Sequence, residues 1–149
     1  MLFRSLPAVK VGAGETALKA DTSAEAQRRV LYIEDNPANL KLVKKILGTR
    51  SNLSLFEAVN AELGLEIARR EQPDLILLDI NLPGMDGFAA LAALRSDPVI
   101  HAIPVIAVTA NAMKHDIERG KAAGFADYLT KPLDIEQLLK SVRRCLDSV

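Results

Sequence analysis

The sequence predicts an α/β protein, built as an open, five-stranded, doubly wound parallel sheet with five helices. Two observations lead to this class. Apolar runs of about four residues alternate along the chain with segments of helical apolar period, which is typical of strands buried on both faces. The connections are short, and right-handed crossovers of such units place helices on both faces of one sheet. A closed barrel of this kind would need about eight units.

The first two strand–helix units begin at Val30. The run Val30–Ile33 predicts the first strand, and Pro37 suits the start of the next helix, because a missing amide hydrogen costs nothing there. The apolar face of this helix consists of Leu40, Val43, Ile46 and Leu47. The second strand, Leu53–Phe56, alternates as a more exposed strand does, and its helix is expected over Ala61–Arg70.

The third and fourth units contain the most apolar strands. Leu75–Leu78 is followed by the turn signal Pro83-Gly84. The helix after this turn carries on its apolar face Phe88, Leu91 and Leu94. Val105–Val108 predicts the fourth strand, and a weaker helix is expected over Ala112–Ala123, where Gly124 ends it.

The fifth unit combines the strand Tyr128-Leu129 with the clearest helical pattern in the chain. Asp134 and Gln137 have the spacing of a capping box at its start. Its apolar stripe is Ile135, Leu138, Leu139, Val142, Cys145 and Leu146. Open α/β sheets bind ligands at the carboxyl ends of strands where the order reverses, and the order 2-1-3-4-5 would place the first and third strands beside such a point.

Residues 1–28 are expected to form a tail or interdomain linker, with the folded domain over residues 29–149. The stretch from Pro7 to Ala26 is rich in Ala, Gly, Thr, Ser and charged residues and has no apolar period long enough for a core element. A short helix over Thr22–Arg29 is one expectation, because Thr22-Ser23 can cap the good helix formers that follow.

Composition excludes several functions for this chain. Its 19 basic and 19 acidic residues give a formal net charge of zero, which attracts neither nucleic acid nor an anionic membrane. No apolar stretch approaches the roughly 20 residues that span a bilayer, and the start of the chain lacks a signal-peptide core. The single cysteine, Cys145, is expected to be a packed thiol, and a cytoplasmic location is expected.

Charged residues follow three of the predicted strands where each strand ends. Glu34-Asp35 follows the first strand, Asp79 the third, and Lys131 the fifth. Carboxyl ends of parallel strands share one edge of the sheet, so these groups should meet there and suit a divalent cation and a phosphoryl group. The structural alternatives are that the acidic residues cap turns and helices and that Lys131 is a solvated loop residue.

From Val30 to Leu146 the chain resembles the receiver domains of two-component response regulators, which have a flavodoxin-like fold. The resemblance rests on four blocks in the right order and spacing: Ile33-Glu34-Asp35-Asn36, the segment 74–87, the segment 103–110, and Tyr128-Leu129-Thr130-Lys131-Pro132. One departure is the Glu-Asp pair, where many family members have two aspartates.

The resemblance implies that Asp79 is the phosphoacceptor and that the chain itself supplies only self-catalysed phosphotransfer. It implies a Mg²⁺ site formed by Glu34, Asp35, Asp79 and the backbone carbonyl of Asn81, with Glu34 acting through water. Lys131 would pair first with Asp79 and then with a phosphoryl oxygen, and Thr109 would donate its hydroxyl to another. We also expect a cis peptide between Lys131 and Pro132, since the lysine must turn back toward Asp79.

The resemblance further implies a switch and a set of partners. Thr109 would move toward the phosphoryl group and Tyr128 would then swing inward, changing the face made by the fourth helix, fifth strand and fifth helix. A histidine kinase or a histidine phosphotransfer protein would supply the phosphoryl group. A downstream protein would bind the altered face.

Two parent contexts fit the resemblance. The chain is either a stand-alone regulator or the receiver of a hybrid histidine kinase; Leu2–Pro7 is similar to the last strand of a kinase ATP-binding domain, which favours the second. A flavodoxin-like small-molecule binder is the alternative from another class, but no Gly-rich phosphate loop follows the first strand. A phosphohydrolase that uses a strand-end aspartate is a further rival, although Asp79 lacks a second acid two residues on.

Overall fold

The computed structural model describes residues 27–110 and 113–147, in which strands and helices alternate. The strands are β1 Arg28–Ile33, β2 Leu53–Ala58, β3 Leu75–Asp79, β4 Val105–Thr109 and β5 Asp127–Thr130. The helices are α1 Pro37–Leu47, α2 Ala61–Glu71, α3 Gly87–Ser96, α4 Lys114–Ala123 and α5 Ile135–Asp147. Among these residues, no helix is both long and apolar enough to cross a lipid bilayer.

All neighbouring strands are parallel, and the sheet has the order β2-β1-β3-β4-β5. This confirms the predicted fold class and strand order. Every residue of β3 and β4 is buried, as expected for central strands covered on both faces. The edge strand β2 is mostly half-buried, which agrees with its weaker apolar pattern. The order reverses between β1 and β3, so their carboxyl ends flank the crevice where this class of sheet binds ligands.

Two apolar layers hold the helices against the sheet. On one face, α1 and α5 pack on the strands through residues that include Val30, Tyr32, Val43, Leu138 and Val142. On the other face, Leu65 of α2, Leu91 and Leu94 of α3, and Phe125 in the loop before β5 pack on strand residues that include Ile33. Successive β1 residues therefore serve opposite layers, which is the doubly wound arrangement.

Side chains of the loops at the carboxyl edge fix the start of the helices. Asn36 accepts from the amides of Ala38 and Asn39, at 2.8 and 3.2 Å, and Pro37 opens α1 as predicted. Asp86 accepts from the amide of Ala89 at the start of α3. These caps order the loops that carry the polar residues of the sheet edge.

The predicted helix over Thr22–Arg29 is wrong at its end, because Arg28 and Arg29 belong to β1; residues 22–26 lie outside the described part of the chain. The amide of Arg28 donates to the Asn52 carbonyl and that of Arg29 to Asp74 Oδ2, both at 2.8 Å. Sheet pairing thus outweighs the helical propensity of the sequence.

Two further details of the helices differ from the predictions. Ile135, placed in the apolar stripe, is 55% exposed, because it is the first residue of α5 and the stripe meets the sheet only from Leu138 onward. The fourth helix begins at Lys114, and Ala112 lies outside the described residues. Gly124 ends this helix with φ of 107°, as its sequence position predicted.

Candidate functional site

Three carboxylates meet at the carboxyl edge of the sheet. Glu34 and Asp35 follow β1 directly, Asp79 ends β3, and the register pairs Ile33 with Leu78, so the acidic residues are neighbours. One oxygen from each carboxylate lies within 4.8 Å of the others. Glu34 and Asp79 are buried, at 0% and 2% exposure, whereas Asp35 is exposed. Such a cluster of hard oxygen ligands, open on one side, suits Mg²⁺.

Lys131 bridges two of these carboxylates. Its Nζ lies 2.9 Å from Glu34 Oε1 and 3.2 Å from Asp79 Oδ2. The predicted cis peptide between Lys131 and Pro132 is confirmed, and the Lys131 amide donates to the Thr109 carbonyl at 2.7 Å. Burial lowers the pKa of the ammonium group, but hydrogen bonds and charges from Glu34 and Asp79 outweigh burial and raise it. The lysine therefore stays charged at neutral pH.

Glu34 is held by donors from its own strand and loop as well as by Lys131. The Tyr32 hydroxyl donates to Oε1 at 2.8 Å, and the Asn36 amide to Oε2 at 3.2 Å. Burial, together with the negative charges of Glu34 and Asp79, raises the pKa of Tyr32. Sequence reasoning missed Tyr32 as part of the site. The available signal was its position two residues before Glu34, which places both side chains on one face of β1.

Asp79 and Thr109 are linked through Asn81. The Asn81 amide donates to Asp79 Oδ1 at 2.9 Å, and the Thr109 hydroxyl lies 3.2 Å from Asn81 Oδ1. Thr109 is buried at the end of β4, next to β3 in the sheet. The predicted site residues are thus brought together, and the Thr109–Asn81 side-chain contact is one that the sequence did not indicate.

Tyr128 lies on the edge strand β5, and its side chain reaches Thr109 at the end of the neighbouring strand β4. Burial raises the pKa of Tyr128, while a hydrogen bond with Thr109 acts in the opposite direction. The ring packs so closely on α4 that a Cβ added to Gly120 would lie 2.4 Å from Tyr128 Cε2. The side chain expected to swing inward thus already reaches Thr109 in this structure.

A parallel sheet of this order, with three carboxylates and a lysine at its carboxyl edge, defines a receiver domain of two-component signalling. Residues 30–143 match the family described as the response regulator receiver domain, and the chain belongs to that family. Receiver domains obtain phosphoryl groups from histidine kinases or phosphotransfer proteins.

Relatives of this chain include small and large regulators. The chain is 39% identical to PilH of Pseudomonas aeruginosa over 118 residues, which cover 79% of this chain and 97% of PilH. It is 37% identical to the polar-differentiation response regulator DivK of Brucella ovis over 122 residues, covering 80% and 96%. The response regulator PleD of Caulobacter vibrioides is 38% identical over 115 residues, but these cover only 25% of PleD.

A metal ion is present in a solved structure similar to this chain. The receiver domain of the sensor histidine kinase PA1611 from Pseudomonas aeruginosa superposes with a TM-score of 0.74 at 31% identity, covering 82% of this chain and 99% of that domain. That structure has a magnesium ion coordinated in its active site cleft.

Proposed function

We propose that this chain accepts a phosphoryl group on Asp79 from a phosphohistidine, with Mg²⁺ bound by Glu34, Asp35 and Asp79. The observation that carries the proposal is the cluster itself, in which three carboxylates lie within 4.8 Å of one another and one lysine bridges two of them. Glu34 and Asp79 are both buried. A carboxylate that only caps a turn or a helix needs neither this burial nor neighbouring carboxylates.

The charges at the site support a requirement for a divalent cation. Three carboxylates repel one another, and the single positive charge of Lys131 leaves an excess of negative charge. Mg²⁺ supplies neutralisation of that excess and of the incoming phosphoryl oxygens. Glu34, Asp35 and Asp79 would hold it, the backbone carbonyl of Asn81 would add another oxygen, and bound waters would complete its shell.

In the transfer step, a carboxylate oxygen of Asp79 forms a bond to phosphorus. The bond from phosphorus to the imidazole nitrogen of the donor histidine breaks, and that nitrogen keeps the electron pair. Lys131, 3.2 Å from Asp79, is placed to donate to one phosphoryl oxygen. Thr109 is placed to donate its hydroxyl to another, after exchanging its contact with Asn81.

We propose that signalling follows from this exchange. Drawing the Thr109 hydroxyl toward the phosphoryl group breaks its link to Asn81 and alters its hydrogen bond with Tyr128. The face made by α4, β5 and α5 then changes shape and presents the signal to a downstream protein. A coupling of about 1–3 kcal/mol between phosphorylation and partner binding is typical of such switches.

For the parent protein, we propose a cytoplasmic hybrid histidine kinase, with a stand-alone regulator as the alternative. The similarity of Leu2–Pro7 to the end of a kinase ATP-binding domain and the receiver of the sensor kinase PA1611 support the first context. PilH and DivK, which the match covers almost completely, support the second. The donor is then the parent's own histidine, another kinase or a phosphotransfer protein.

Incubation with acetyl phosphate and Mg²⁺, followed by intact mass measurement, tests the proposed function. We expect one added phosphoryl group, no addition in EDTA, and none in Asp79→Asn. The matched control is Asp86→Asn in the neighbouring loop, because Asp86 caps α3 and asparagine caps equally well. Equal labelling of Asp79→Asn and the unsubstituted protein would show that Asp79 is not the acceptor.

A further inference from the structure

We propose that Tyr32 is a positioning residue, whose hydroxyl holds Glu34 in the orientation that the metal site requires. The inference rests on the proposed function, because it assigns a role in Mg²⁺ binding to a residue outside the acidic cluster. Tyr32 is 0% exposed and lies in the apolar layer beneath α1 and α5. Its hydroxyl points out of that layer to Glu34 Oε1, 2.8 Å away.

The need for such a residue comes from the length of Glu34. A glutamate has one more methylene group, and one more rotatable bond, than the aspartate that many receiver domains carry at this position. Glu34 is 0% exposed, so its carboxylate is not solvated by bulk water. A fixed donor on the strand removes the extra freedom and keeps the metal-binding oxygens in one orientation.

The contacts of Glu34 divide its two oxygens between different tasks. Oε1 accepts from both Tyr32 and Lys131, whereas Oε2 accepts only the longer 3.2 Å contact from the Asn36 amide among the described residues. A carboxylate offers about four lone-pair sites, so a site on Oε2 remains for Mg²⁺ or one of its waters.

Tyr32 also secures Glu34 when Lys131 changes partners. Lys131 Nζ is 2.9 Å from Glu34, and in the proposed transfer it moves to a phosphoryl oxygen. Without Tyr32, the only protein donor left to the buried Glu34 among the described residues would then be the Asn36 amide, at 3.2 Å. The tyrosine hydroxyl is the donor that remains on Oε1 through the cycle, because it comes from β1 rather than from the mobile partner.

Tyr32→Phe keeps the ring and removes only the hydroxyl. We expect it to weaken Mg²⁺ binding by about 10-fold in isothermal titration calorimetry, the lower end of the range for losing a residue that orients a metal ligand. The amide resonance of Asn36, which donates to the same carboxylate, should shift in the metal-free protein. Ser141→Ala is the control: it removes a buried hydroxyl that bonds to Asp127, remote from Glu34, and should leave Mg²⁺ affinity unchanged.

A second background separates positioning from general loosening. In Glu34→Asp the shorter side chain no longer reaches the Tyr32 hydroxyl, so adding Tyr32→Phe should change Mg²⁺ affinity by less than about 2-fold. The inference is wrong if Tyr32→Phe binds Mg²⁺ as tightly as the unsubstituted protein, or if Tyr32→Phe lowers the affinity by the same factor in both backgrounds. In either case, phosphorylation of the unsubstituted protein at Asp79 would leave the proposed function intact. If the unsubstituted protein binds no Mg²⁺, the proposed function itself is refuted.

Discussion

Replacing Gly120 with alanine tests how the Tyr128 ring packs against α4. The added Cβ would lie 2.4 and 2.5 Å from Cε2 and Cδ2 of Tyr128, too close for the ring to stay where it is. We expect the ring to leave α4 and its hydroxyl to leave Thr109. The effect of Gly120→Ala on the free energy of unfolding should therefore depend on the presence of the Tyr128 ring.

Two opposing effects determine how much Gly120→Ala changes the stability of the protein. Overpacking of this kind costs about 1–3 kcal/mol. Alanine in place of glycine within a helix contributes about 1 kcal/mol of stability, so the net destabilisation of Gly120→Ala is about 0–2 kcal/mol. In a Tyr128→Ala background the clash is absent, and the same substitution should stabilise by about 1 kcal/mol. The coupling between the two positions is then about 1–3 kcal/mol.

Urea unfolding of the four proteins in this cycle, followed by circular dichroism, measures the coupling. A change of 1 kcal/mol moves the midpoint by roughly 0.5 M at the urea slopes usual for small domains. If Gly120→Ala changes the free energy of unfolding equally in both backgrounds, the ring does not depend on Gly120, and this account of Tyr128 packing is wrong.

Two further predictions concern the end of α5 and the start of the chain. Burial, with the charge of Asp127 adding to it, raises the pKa of Cys145, so iodoacetamide should modify the native thiol far more slowly than the urea-unfolded one at pH 8; equal rates, read by mass, would contradict its packing. Deletion of residues 1–21, predicted to carry no part of the core, should move the melting temperature by less than about 2 °C in a calorimetric scan, and a larger drop would show that they dock.

The sequence was sufficient to predict those parts of the fold that depend on local pattern. The apolar runs of β3 and β4 predicted central strands, and Pro37, Gly124 and Asp134 marked helix ends that the structure confirms. These signals are local because strand burial and helix capping depend on residues a few positions apart.

Contacts between distant elements were harder to predict. The start of β1 at Arg28 depends on pairing with β2, and the packing of Tyr128 on Gly120 depends on how α4 crosses the sheet. The hydrogen bond from Tyr32 to Glu34 is a different case, because strand periodicity alone places both residues on one face. The role proposed for this hydrogen bond depends on the complete burial of Glu34, which the sequence pattern did not indicate.

The most direct test of the central claim identifies the residue that carries the phosphoryl group. Borohydride reduces an acyl phosphate to an alcohol and leaves free carboxylates unchanged, so a phosphorylated aspartate becomes homoserine. After treatment with acetyl phosphate, Mg²⁺ and then borohydride, tandem mass spectrometry should find homoserine at position 79 and aspartate at position 35. Homoserine at another aspartate, with position 79 unchanged, would contradict the assignment of Asp79 as the phosphoacceptor.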